Sequence, residues 1–250
     1  MKIEKDQLRT EVVDRLLRYV KIETASDPHI ENIPSTDSQW NLLRLLEKEL
    51  REIGITDIEL TENGYLIARI PANTDTAAPA IGFMAHVDTS SDVSGSGVDP
   101  QVHENYDGGD IELGEGRMLS PEEYPELGEY RGDTIITTDG TTLLGADDKA
   151  GVAEILTAAG WLLNHPEYPH GELELVFTPD EETGKGMNLF PMKKLHATYC
   201  YTMDGGKRGV IEGECFNAYA ARIRFRGHVI HLGHARGKLV NAVTMAGTYI

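Results

Sequence analysis

A nearly continuous apolar run from Ala80 to Val87 constrains this chain more than any other segment. A run of that kind suits a strand buried on both faces, which needs paired neighbours and a covering layer on each side. The rest of the sequence supplies them. Asp6 to Val20 predicts a helix, with Val12, Val13, Leu16, Leu17 and Val20 on one side. Ser35 to Ile53 predicts a second, with Leu42, Leu43, Leu46, Leu50 and Ile53 as its apolar stripe, Thr36 and Gln39 as a capping box and Gly54 as its stop. Ile58 to Thr61 and Tyr65 to Ile70 flank Asn63-Gly64, a strong hairpin pair. Thr134 to Thr138, Glu172 to Thr178 and Tyr199 to Met203 read as further strands, and Lys149 to Asn164 as a helix. Strands alternating with helices argue an α/β fold of three layers, α/β/α.

Between Asp88 and Asp133 the pattern dissolves into Gly, Pro, Ser, Asp and Glu. A long irregular loop in a compact domain is usually functional or disordered. After Gly205-Gly206 the texture changes again. Gly209 to Glu214 and Ala218 to Phe225 look like amphipathic strands with one wet face, and Leu239 to Ile250 like the start of a helix. The expected organisation is a large α/β domain over 1–207 and the beginning of a smaller domain over 208–250.

Composition narrows the function classes. The net charge is −18, from 41 acidic and 23 basic residues. Nucleic acid is therefore not the expected partner, because phosphate binding needs a basic face. No run approaches the ~20 apolar residues that span a bilayer, and the charged N-terminus is not a signal peptide, so a soluble cytoplasmic protein without a membrane partner is expected. Two cysteines, Cys200 and Cys215, are too few for a disulfide framework and read as buried free thiols. Trp40 and Trp161 fall within predicted helices and read as packing residues.

Four motifs carry chemistry. His86 and Asp88 stand two apart at the end of the buried strand and face the same way. A neutral imidazole binds zinc, and a nearby carboxylate orients the ring through its other nitrogen. Asp147-Asp148 lies just before a helix; one acid there is an N-cap, but two exceed what a cap needs, and a carboxylate has two oxygens with which to bridge cations. Asp180-Glu181-Glu182 follows a strand, and three adjacent acids repel unless cations or water relieve them. One glutamate can bind metal while its neighbour takes a proton from activated water. Asp204 ends another strand ahead of two glycines. Each motif alone also reads as a structural pair, a cap, a solvated loop or a turn. Together they lie at strand ends or helix starts, where open α/β sheets gather ligands. The set of His, Asp, Glu and Asp suits a carboxylate-rich pair of zinc ions, and no closely spaced cysteine pair offers a thiolate site.

The segments HVDTSSDVSG, TTDGTTLLGADDKAG, FTPDEETGKG and YTMDGG resemble the peptidase T family, tripeptide aminopeptidases within the di-zinc peptidases that include carboxypeptidase G and aminoacylase. The resemblance runs from IPSTDSQWNLL to KLVNA. It implies a zinc-peptidase catalytic domain followed by a lid through which the longer protein forms a homodimer. It implies that His86 and Asp204 bind one zinc, that Asp147 bridges two, and that Glu182 binds the second. Asp88 would orient His86, Glu181 would be the general base, the Asp147–Asp148 peptide would be cis, and His231 would help bind substrate at the oxyanion.

Two departures matter. The family's His-Pro-Gly-Thr around the lid histidine is His231-Leu232-Gly233-His234 here, which loosens that turn and puts the role of His231 in doubt. The family's downstream histidine for the second zinc has no match before Ile250. The expectation is a piece of a longer enzyme that alone binds at most one zinc tightly and is inactive or nearly so. A dipeptidase or amide deacylase from the same group is a second reading. A non-catalytic acidic domain that binds calcium or a partner protein is a third, from which His86 discriminates because calcium takes oxygen ligands.

Overall fold

A computed structural model describes residues 5–214, 217–219 and 221–249. The chain divides into two compact units, Met1–Arg208 and Gly209–Ile250. The first opens with α1 (Lys5–Tyr19), α2 (Gln39–Glu52), β1 (Asp57–Leu60), β2 (Leu66–Ile70) and β3 (Ile81–His86). The short strands β4 (Gln101–His103), β5 (Ile111–Glu112), β6 (Met118–Leu119) and β7 (Ile135–Thr137) follow, then α3 (Ala146–Leu163), β8 (Leu173–Thr178) and β9 (Tyr199–Thr202).

The main sheet has the order β1-β2-β8-β3-β9. β1, β2 and β8 pair antiparallel, whereas β3 runs parallel to both β8 and β9. Three strands therefore end at one edge of the sheet, with His86 opposite Thr178 in the ladder. One face of the sheet buries Leu66, Ala68, Ile70, Ala85, Leu175 and Phe177 against the apolar stripes of α1, α2 and α3. On the other face Tyr65 and Val176 pack with Ile33, Phe190 and Leu195, which come from connecting segments and the flank of a single 3-10 turn. The α/β architecture is thus three-layered, and among the described residues its long helices share one layer.

Several sequence expectations change. Thr36 does not cap α2: its hydroxyl donates to the Ala25 carbonyl at 2.8 Å, and the helix begins only at Gln39. The region from Asp88 to Asp133 is not structureless. It folds β5 and β6 into a hairpin and packs Tyr106, Ile111 and Leu127 into a small core of their own. The strand expected near Thr134 pairs with β4 in a separate two-stranded sheet rather than with the main one. Cys200 is exposed rather than buried, because β9 is an edge strand with all four residues open; Cys215 lies outside the described residues.

In the second unit, residues 209–214 and the described part of 218–225 form no strand. Amphipathic alternation becomes a strand only when a partner takes its hydrogen bonds, and the one pairing described there is the bridge between His228 and Val240. A 3-10 turn (Leu232–His234) and α4 (Ala242–Tyr249) complete the unit. Asn241 starts α4 by accepting from the Val243 and Thr244 amides at 2.8 and 3.2 Å; Ile250 lies outside the described residues. No helix of the described residues is long and apolar enough to cross a membrane.

Candidate metal centre

The parallel strands β3, β8 and β9 bring three of the four motifs to one edge, and the start of α3 brings the fourth. His86 is the last residue of β3 and is almost fully buried. Its Nδ1 lies 2.9 Å from the Asp88 carbonyl oxygen and 3.4 Å from the Asp88 carboxylate. The proton assigned to Nδ1 therefore points at Asp88, which leaves Nε2 to face the site. Around Nε2 stand Asp147 at 2.9 Å, Asp204 at 3.7 Å and Glu181 at 3.9 Å.

Two groups of ligand atoms lie within 4.8 Å of one another: His86, Asp147 and Glu182, and His86, Asp148 and Asp204. The structure thus brings together His86, Asp147, Glu182 and Asp204, all singled out from sequence, and adds Asp148. The grouping differs from the resemblance, which divides His86 and Glu182 between two ions. His231 belongs to the second unit, where its Nδ1 accepts from the Gly233 amide at 3.2 Å.

The backbone explains how two adjacent acids divide their work. Asp147 and Asp148 are joined by a cis peptide and leave helical geometry, although they fall at the head of α3. Asp147 stays exposed in the cleft, while Asp148 is buried. The Asp148 carboxylate accepts from the His86 and Gly151 amides, each at 3.2 Å, and so ties β3 to α3. Gly151 is required there, since a Cβ would sit 2.2 Å from the Met203 carbonyl oxygen. Asp88 has a second task that its sequence context hid. Its carboxylate accepts from the Glu181 amide at 2.9 Å and the Glu182 amide at 3.1 Å. The residue beside the histidine therefore also holds the turn that carries both glutamates.

Electrostatics show what this crowd of acids lacks. Burial alone would lower the His86 pKa, but the contacts with Asp88 and the charges of Asp148 and Glu181 carry it up to about 10. Burial, against the pull of His86, pushes Asp148 up to about 8. Glu181, Glu182 and Asp204 are raised as well, first by burial and then by one another and Asp147. One imidazolium cannot balance so many carboxylates, and a cation relieves what the protein leaves unbalanced. The donor set, imidazole nitrogen with carboxylate oxygen and no thiolate, fits a divalent metal of zinc's kind. A metal ion at Nε2 displaces the proton there.

No family model matches the chain. Peptidase T of Lysinibacillus sphaericus is 53% identical over 239 residues, covering 96% of this chain and 58% of that protein. Peptidase T of Geobacillus thermodenitrificans is 50% identical over 241 residues, covering 96% and 59%. Over nearly its whole length this chain is similar to the peptidase T sequences. It spans a little under three-fifths of the length of these relatives. The solved aminopeptidase PepT from Bacillus cereus superposes with a TM-score of 0.61 at 23% identity, over 96% of this chain and 55% of that one. That likeness speaks to fold, and it agrees with the three-layer α/β architecture.

The sequence motifs include both Asp148 and Asp180 but assign neither a task of its own: Asp148 as a possible ligand and Asp180 as an anchor emerge only in the structure. The available signal was the triplet itself, since three adjacent carboxylates in a turn cannot all face one cleft.

Proposed function

We propose that this chain carries the site of a zinc-dependent aminopeptidase that releases the N-terminal residue of tripeptides. One observation carries the reading. A single imidazole nitrogen and carboxylates from α3, the segment after β8 and the segment after β9 gather within bonding reach of common points. His86, Asp147, Glu182 and Asp204 would hold the two zinc ions. When bound, zinc supplies Lewis acidity that polarises the scissile carbonyl and acidifies water.

The chain's own residues do the rest. Asp88 holds the His86 ring through Nδ1, so that Nε2 is presented unprotonated. Glu181 is the base: a carboxylate oxygen takes a proton from the attacking water and returns it to the leaving amine. Its raised pKa, from burial and the neighbouring acids, suits a group that must first accept a proton and then give it up. Asp204 and Asp147 keep that pKa high by their charge. His231, with Nδ1 engaged by Gly233, has Nε2 left to donate to the oxyanion of a substrate. The reading extends to a lid role for the second unit, pairing of two copies through it, and a cytoplasmic setting. Only His86 contributes an imidazole to either group among the described residues. One zinc would then bind tightly and the second weakly, and turnover by this chain would be slow.

The test is a zinc titration of metal-free protein by calorimetry, with calcium in parallel. Zinc should bind and calcium should not. His86→Ala should weaken zinc by more than the 10–100-fold that loss of an outer-shell partner costs. Unchanged zinc binding in that variant ends the metal reading. Tripeptide hydrolysis that disappears on chelation supports the reaction class, whereas preferred cleavage of an N-acyl amino acid points to a deacylase.

A further inference from the structure

Glu181 and Glu182 have a positional problem. Their side chains are largely exposed, and among the described residues neither accepts a hydrogen bond through its carboxylate. Nothing at the carboxylates themselves fixes where they point, so their backbone must. Groups that react or bind metal need placement to about 0.5 Å, and an exposed turn does not provide it unaided.

The turn is anchored by the acid that precedes them. Asp180 is fully buried and takes a left-handed backbone with φ of 57°, and its carboxylate bonds to Ser35 and Gln39. Its Oδ2 accepts from the Ser35 amide at 2.7 Å. Its Oδ1 accepts from the Ser35 hydroxyl at 2.5 Å and the Gln39 amide group at 2.8 Å. Its own amide donates back to the Gln39 side-chain oxygen at 3.2 Å. Ser35 and Gln39 are also buried, and they lie more than 140 positions earlier in the chain. A buried carboxylate costs several kcal/mol unless its lone pairs are filled; here three donors fill them. On the opposite side, the Glu181 and Glu182 amides are taken by Asp88. The Asp180 carbonyl closes the turn by accepting from Thr183 and Lys185.

We propose that Asp180, clamped by Ser35 and Gln39, is the positioning residue that aims Glu181 and Glu182 at the metal centre. This rests on the zinc-peptidase reading for what the glutamates do, but not for how they are held. The clamp joins the start of α2 to the end of β8, so a shift of α2 relative to the sheet is transmitted to the two glutamates through one side chain.

Donor and acceptor roles make it testable. Asp180→Asn keeps the shape but presents an NH2 to the Gln39 NH2 or to the Ser35 amide, and one contact becomes a clash of donors. Adding Gln39→Glu restores the match, because the new amide then donates to the new carboxylate. The metal-free chain is followed by amide hydrogen exchange and zinc affinity by calorimetry. Asp180→Asn should speed exchange at Glu181 and Glu182 about tenfold or more while the core strands stay protected. It should weaken zinc about tenfold or more, as loss of a positioning partner does elsewhere. The double variant should recover both to within about threefold, which a merely structural residue would not do. Exchange and affinity within twofold of the parent, or a double variant no better than the single, overturn the proposal. Should Asp180→Asn fail to fold, Ser35→Ala removes one donor and carries the same two readouts, and unchanged values there overturn it equally. If the parent takes up no zinc, the metal reading falls and the exchange data alone judge the clamp.

Discussion

Replacing Gly151 by alanine sets two effects of opposite sign against each other. Gly151 is buried in α3, and intrinsic helix propensity alone favours alanine there by about 1 kcal/mol. The surroundings oppose it. A Cβ at this position would lie 2.2 Å from the Met203 carbonyl oxygen and 2.5 Å from Asp148 Oδ1. Even attractive carbon–oxygen contacts sit at about 3.3–3.6 Å, so α3 and the end of β9 must part by about 1 Å. The nearest obstacle is backbone, which cannot swing aside as a flexible side chain would. Overpacking of this kind costs about 1–3 kcal/mol or more, which exceeds the propensity gain over most of that range. The expected net loss, up to about 2 kcal/mol, lowers the Tm by several degrees, at about 2–4 °C per kcal/mol for a chain of this size. The same movement displaces Asp204, the residue after Met203, and breaks the bond from the Gly151 amide to Asp148. Scanning calorimetry of the metal-free chain and a zinc titration together decide the matter. A Gly151→Ala variant that melts higher and binds zinc as tightly as the parent would refute the reasoning, since propensity would then have outweighed contact.

Two further outcomes are expected. Glu181→Gln should bind zinc like the parent but lose about 10²–10⁴-fold in tripeptide turnover, the usual contribution of a general base; undiminished hydrolysis at equal metal content removes Glu181 from the reaction. At the far side of α2, burial by itself would raise the Glu49 carboxyl, but bonds from Arg18 at 2.5 Å and the Tyr19 hydroxyl at 2.6 Å hold it below its ordinary value. A carboxyl with a depressed folded pKa gives stability that is complete above its unfolded pKa, about 4.3, and is lost as the pH falls through the folded value. Glu49→Gln should therefore lower the Tm at pH 7 and flatten its decline in acid, and an acid limb unchanged by the substitution would exclude Glu49 as its source.

What could be read from the sequence follows from how local each signal is. The apolar stripes of α1, α2 and α3 were legible because every one of them faces the same sheet, so the period survives in the chain itself. The acids at strand ends were legible because a parallel sheet delivers strand ends to one edge whatever the connections do. Edge position is not encoded in this way: β9 reads as apolar, yet no strand covers its outer side among the described residues and Cys200 stands exposed. Nor is partnership. Residues 209–214 alternate as a strand should, but among the described residues no neighbouring strand pairs with them. The same limit explains Thr36 and Gln39, whose spacing suits a capping box while the Thr36 hydroxyl donates to Ala25 and the Gln39 amide group reaches Asp180.

The triplet Asp180-Glu181-Glu182 shows why local consistency breaks down at this site in particular. As a stretch of chain it is unfavourable, since three like charges in a turn raise one another's cost. Folding resolves it by splitting the three. The first carboxylate turns inward, where neutral donors from Ser35 and from Gln39 at the start of α2 fill its lone pairs, and the other two remain exposed without a hydrogen-bond donor among the described residues. A sequence selected only for stability would neutralise the two exposed acids and lose little by it. Two such acids beside a buried histidine, with a fully buried anion holding their backbone, form an arrangement that an outside positive charge would complete.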